Sequence, residues 1–81
     1  MKIYILIETR DDETEELGRW YFKEWNDAIA KAKELMDESV PASRKTRDDD
    51  INESINELDE RGFTNNSRLY DEYRIISAEL L

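Results

Sequence analysis

The chain contains no cysteine, no histidine, two glycines and one proline. Without cysteine there is no disulfide, no thiolate nucleophile and no thiolate-bound metal. Without histidine, the commonest general base and the commonest transition-metal ligand are missing as well. Two glycines do not make a glycine-rich phosphate loop, and no nucleophile elbow is present. No apolar run approaches the ~18 residues that cross a bilayer. The first apolar run ends at Ile7, too early for a secretory h-region. These absences predict a cytoplasmic protein that neither enters a membrane nor carries a cofactor.

Basic residues are also scarce, with 12 Lys and Arg against 21 Asp and Glu and a net charge of −9. That field disfavours direct contact with nucleic acid or an anionic membrane and favours a cationic protein surface. It also serves plain solubility. At 81 residues the chain is one domain, 1–81. A domain this small buries only ~60% of its unfolded surface. Leu, Ile, Val and Phe total 18 of the 81 residues, just above the ~20% below which disorder is expected. Folding is expected with little stability to spare, and a homodimer would supplement it.

The one unbroken apolar run is Ile3-Tyr4-Ile5-Leu6-Ile7, inside residues 2–8 (KIYILIE). It is short, β-branched and aromatic, which reads as a strand. Ile3, Ile5 and Ile7 share one face, and Tyr4 and Leu6 share the other. Two apolar faces suit a central strand covered on both sides. Residues 10–18 (RDDETEELG) hold five carboxylates, Asp11, Asp12, Glu13, Glu15 and Glu16, and read as a solvated loop. Arg19-Trp20-Tyr21-Phe22 reads as a second strand. Trp20 and Tyr21 point to opposite faces of it, so one of the two is exposed; Trp20 is the candidate interface anchor.

Residues 24–39 place Trp25, Ala28, Ile29, Ala32 and Met36 on one helical stripe, with Leu35 alongside. Glu24 or Asn26 is the N-cap. Pro41 ends the helix by biasing Val40 away from helical angles. Residues 41–47 hold the one basic cluster, Arg44, Lys45 and Arg47, and read as a connecting loop drawn onto the protein's own acids. Ile51, Ile55 and Leu58 form a narrower stripe on a second helix. Asp48, Asp49 and Asp50 lie at its favourable N-terminus, and Gly62 and Phe63 at its end. The last stretch, 69–81, reads as a third strand beside the first, with a terminal helix over 77–81 as the rival. The expected architecture is α+β: a small antiparallel sheet of three strands packed against one main and one shorter helix, in the order β-β-α-α-β. The main helix is expected on the face carrying Ile3, Ile5 and Ile7 or on the opposite one, and the shorter helix is the candidate for the other. If it does not pack there, Tyr4 and Leu6 mark the face where a second molecule binds.

The pattern Asp48-x-Asp50-x-Asn52, followed by Ile55 and Asp59, resembles an EF-hand calcium loop. It departs from that loop at Glu53, where a glycine is needed for the turn, and at Asp59, one methylene shorter than the bidentate Glu. The same residues also fit a regular helix. The other carboxylates lie on expected exposed surfaces, without the partly dry site that tunes catalytic groups, so no enzyme is expected. Carboxylates in three blocks (11–16, 37–38 and 48–60) could engage the Lys and Arg of a nucleic-acid-binding protein. In size, acidity and lack of Cys and His, the chain resembles small phage-encoded anti-defence proteins of the anti-CRISPR type. That resemblance implies an inhibitor of a bacterial defence nuclease acting as a DNA mimic in the host cytoplasm, with Asp11, Asp12, Glu13, Glu15, Glu16, Asp48, Asp49, Asp50 and Trp20 as the partner-binding set. The alternatives are a homodimeric structural or regulatory module, and a calcium or small-ligand module.

Overall fold

In the computed structural model, residues 1–10, 15–64 and 69–80 are described. Asp11, Asp12 and Glu13 lie outside them, as do Leu81 and the residues whose composition predicts a turn, Asn65, Asn66 and Ser67. Five elements follow in order: β1 (Lys2–Arg10), β2 (Glu16–Phe22), α1 (Trp25–Ser39), α2 (Arg47–Arg61) and β3 (Asp71–Glu79). The sheet order is β2-β1-β3, with both pairings antiparallel. This is the expected α+β fold with β1 at the centre.

The register fixes the two faces of the sheet. Leu6 lies opposite Trp20 and Ile75, and Ile5 lies opposite Tyr21 and Ile76. Leu6 is fully buried among Ala28, Ala32 and Met36 of α1, Ile51 and Leu58 of α2, and Tyr73 and Ile75 of β3. Tyr4, Trp20, Phe22 and Trp25 border that cluster, with Tyr4 and Trp25 meeting edge to face at 5.5 Å. Ile5 and Ile7 stand outside it. Both helices therefore lie on the Tyr4/Leu6 face, and the expectation of a strand covered by a helix on each side is corrected. The narrow stripe of α2, with Ile51, Ser54 and Leu58 buried, is taken up by α1 and β3. The indole Nε1 of Trp25 donates to Asp59 Oδ1 at 2.6 Å and clasps the two helices side by side.

The boundaries follow local chemistry. Glu24 caps α1 in extended geometry without a side-chain bond, leaving Asn26 inside the helix. Val40, ahead of Pro41, is extended at φ −90° and ψ 124°, and its N–H donates to Met36 O. Asp48, Asp49 and Asp50 occupy the first turn of α2 and Arg61 the last, matching the macrodipole. Gly62 takes the left-handed φ of 82° that closes the helix, its N–H donating to Leu58 O at 2.8 Å. Phe63 stays exposed and pairs with Arg74 as an isolated bridge beside β3. Strand geometry continues to Glu79, so a helix over 77–81 is excluded as far as that residue.

β2 starts three residues before Arg19, so Glu16, Leu17 and Gly18 belong to the strand rather than to the expected loop. Glu8 pairs with Gly18 but Thr9 with Glu16, so Leu17 is the extra residue of a bulge. A Cβ on Gly18 would collide with the Trp20 indole, which lies along the strand over it. Gly18→Ala is expected to displace that ring and destabilise the fold by about 1–3 kcal/mol, read from the urea midpoint. Ser54 points the other way energetically: it is 1% exposed and its hydroxyl has no partner among the described residues. Ser54→Ala should raise stability by about 1 kcal/mol, since it removes an unpaired buried hydroxyl and improves helix propensity; a loss of stability would reveal a partner for that oxygen.

Candidate functional site

α2 concentrates the charge. Its sequence RDDDINESINELDER holds seven carboxylates against two guanidiniums. Asp49, Asn52, Glu53, Asn56 and Glu60 recur at helical spacing and are all exposed, so amides and carboxylates alternate along the outward stripe. Asp48 is exposed and pairs with Arg47 at 3.3 Å. Asp50 is held by Arg44 at 2.9 Å and by the Thr46 hydroxyl at 2.7 Å. Arg47 also reaches Asp37 at 3.5 Å and donates to the Asp37 and Val40 carbonyls. Two of the three residues in the basic cluster are thus drawn onto the protein's own acids.

The helical course of 48–59 settles the geometry of the calcium-like pattern. Its oxygens are distributed around a helix instead of converging, and Asp59 is engaged with Trp25. No group of three or more acidic side chains among the described residues is arranged to hold a metal ion. A polar cleft of about 260 Å³ lies between the helices, lined by Lys33, Asp37, Asp48, Ile51 and Asn52.

The remaining candidate residues are scattered. Glu15 and Glu16 are exposed; Glu15 pairs with Arg10 at 3.8 Å and Glu16 with Arg19 at 2.8 Å. The Arg19 hydrogen bond holds the Glu16 carboxyl below its ordinary range. Trp20 is half-buried against the core, with Lys31 Nζ 5.6 Å from its ring centre. The exposed aromatic of the pair is Tyr21, at 60%, because the register turns Trp20 toward the helices. The sequence shows that the two rings diverge but not which one α1 covers.

Sequence reasoning passed over Glu8, which sits on the helix-covered face and is 9% exposed. Its Oε2 accepts the Tyr73 hydroxyl at 2.8 Å. Burial raises its carboxyl above the ordinary value of 4.5; the Tyr73 bond opposes that shift, while Asp71 and Glu38 reinforce it. Burial likewise pushes the Tyr73 hydroxyl far above its usual range, keeping it a donor. The cleft between the helices does not reach this pair. No family model, curated protein or solved structure matches the chain.

A raised carboxyl binds its proton more tightly in the folded state. Stability therefore falls as pH rises from about 4.5 through the folded value. Glu8→Gln removes this component, so its stability relative to the parent should improve from pH 4.5 to pH 7. Tyr73→Phe should destabilise by about 1–3 kcal/mol, and more at neutral than at acid pH, because it strands a buried carboxylate. Urea unfolding at both pH values checks this; equal effects at the two would contradict it.

Proposed function

We propose that the protein is a non-enzymatic acidic binding module that docks the α2 side of its helical layer on the cationic surface of a nucleic-acid-binding protein. The observation that carries this reading is the charge density of α2. Fifteen residues rising ~1.5 Å each span ~22 Å, so its seven carboxylates, counted around the whole helix, come at about one per 3 Å. A strand of duplex DNA carries one charge per ~3.4 Å of axis. The two guanidiniums of α2 sit at its ends, Arg47 and Arg61, which leaves the stripe between them acidic. Asp48 and Asp49 are exposed at the head of the helix, while Asp50 is held by Arg44 and Thr46. Engaging the Lys and Arg that normally bind phosphates would block a nucleic-acid channel. With its size and composition like those of phage anti-defence proteins, the reading extends to an inhibitor of a bacterial defence nuclease, working in the host cytoplasm.

The test is capture from a bacterial lysate on the immobilised chain. Nucleic-acid-binding proteins should be retained at ~50 mM salt, released by ~200 mM, and displaced by added duplex DNA. Replacing Asp48 and Asp49 by Asn and Glu60 by Gln should slow association about tenfold. Retention that ignores salt, DNA and this triple variant would overturn the reading.

A further inference from the structure

The sheet face opposite the helices carries a second feature that the acidic surface does not use. Of the six large apolar side chains exposed among the described residues, five point to this face: Met1, Tyr21, Phe63, Ile76 and Leu80. Tyr21 and Ile76 flank Ile5 in one row of the register. Phe63 pairs with Arg74, which flanks Ile7 on the same face. Met1 and Leu80 exchange backbone hydrogen bonds of 2.7 and 2.8 Å that continue the β1–β3 ladder, so alternation places them here too. No helix packs on Ile5 or Ile7, yet they are only 8% and 2% exposed. Their in-register neighbours are Tyr21 and Ile76 for Ile5, and Arg19 and Arg74 for Ile7. Contiguous apolar surface of this kind marks an interaction site.

We infer that this face is an isologous homodimer interface, with a second copy of the chain packing sheet against sheet. Charge selects the occupant. In a chain of net −9, the charged residues the register places on this face balance: Arg19 and Arg74 against Glu16 and Glu72. A cationic partner meets two guanidiniums here. An anionic partner, a second copy included, meets the long-range field of the whole molecule, which salt screens. A second copy differs in bringing two guanidiniums and two carboxylates to the contact, so the local charges balance. The acidic stripe of α2 stands a helix diameter, ~10 Å, behind the sheet, beyond the ~8 Å Debye length at physiological salt.

The strand edges favour face over edge. The outer edge of β3 is closed where Ile75 N–H donates to Gly62 O and Thr64 N–H to Tyr73 O, and β2 carries the Leu17 bulge that discourages edge pairing. Size agrees. β1 and β3 with Met1 and Leu80 run ten residues each and β2 seven; at ~3.4 Å per residue and ~4.8 Å per strand the footprint is about 440 Å². The pair then buries about 900 Å², the size of a weak, reversible contact.

Sedimentation equilibrium of the full chain from about 1 μM to 1 mM tests this. A monomer–dimer equilibrium is expected, tightening about tenfold or more between ~20 mM and ~500 mM salt as like charge is screened. That sign is opposite to the one expected for a cationic target, so either interaction can fail alone. Tyr21→Glu and Ile76→Glu should each leave a monomer that melts with the parent at concentrations where the parent is monomeric, whereas Tyr70→Glu, the exposed aromatic outside this set, should still dimerise. Amide shifts of the parent chain on dilution should centre on Ile5, Ile7, Tyr21 and Ile76, a readout independent of variant folding. A monomer at every concentration, a dimer weakened by salt, association beyond a dimer, or shifts confined to α2 or the β2 edge would overturn the inference.

Discussion

The rest of the structure depends on the burial of one side of β1 by two helices at once. α1 and α2 are each 15 residues long. Side by side they make a layer ~20 Å wide, more than the ~14 Å of three strands. The middle of one face is therefore covered, and the described residues hold no third helix for the other. Leu6, at zero exposure, is the point on which that layer closes. Glu8, two residues further along the same face, lies under the end of the layer, and Tyr73 supplies the donor that makes its burial tolerable. The cost of keeping that carboxyl dry and the exposure of Tyr21 and Ile76 on the opposite face have one origin: a small core whose two helices both lie on one side.

Much of this was legible in the residues. Periodicity located both helices, Pro41 and Gly62 marked their ends, and the element order followed. What the sequence withheld was the side. Alternation assigns a face only where the two sets differ in polarity. In β1, Ile3, Ile5 and Ile7 are as apolar as Tyr4 and Leu6, so the pattern is degenerate. Trp20 and Tyr21 inherit the same ambiguity, because their faces are set by pairing with Leu6 and Ile5. The start of β2 was hidden differently. Glu16-Leu17-Gly18 looks like a loop because its bulge and glycine erase the period of two, although the glycine is needed for the Trp20 ring to lie flat. The acidic candidates were legible as charge but not as geometry: Asp50 turns inward to Arg44, while Asp49, Glu53 and Glu60 line the outward stripe.

The two layers consequently differ in the physics of what they can bind. The helical layer, through α2, is polar, strongly acidic and governed by fields that salt removes. The sheet face is apolar and locally neutral, governed by area and by the removal of water from Tyr21 and Ile76. If the sheet faces pair, the product is a four-layer sandwich with the helices outermost, and the two α2 stripes face outward on opposite sides. Such a dimer is a bivalent acidic ligand. Its second contact with a multisubunit target is intramolecular, and its gain is set by whether the target's basic sites match the spacing of the two stripes. The sheet face then has a purpose that the stability of the small core alone does not supply: it converts one marginal electrostatic contact into two that act together.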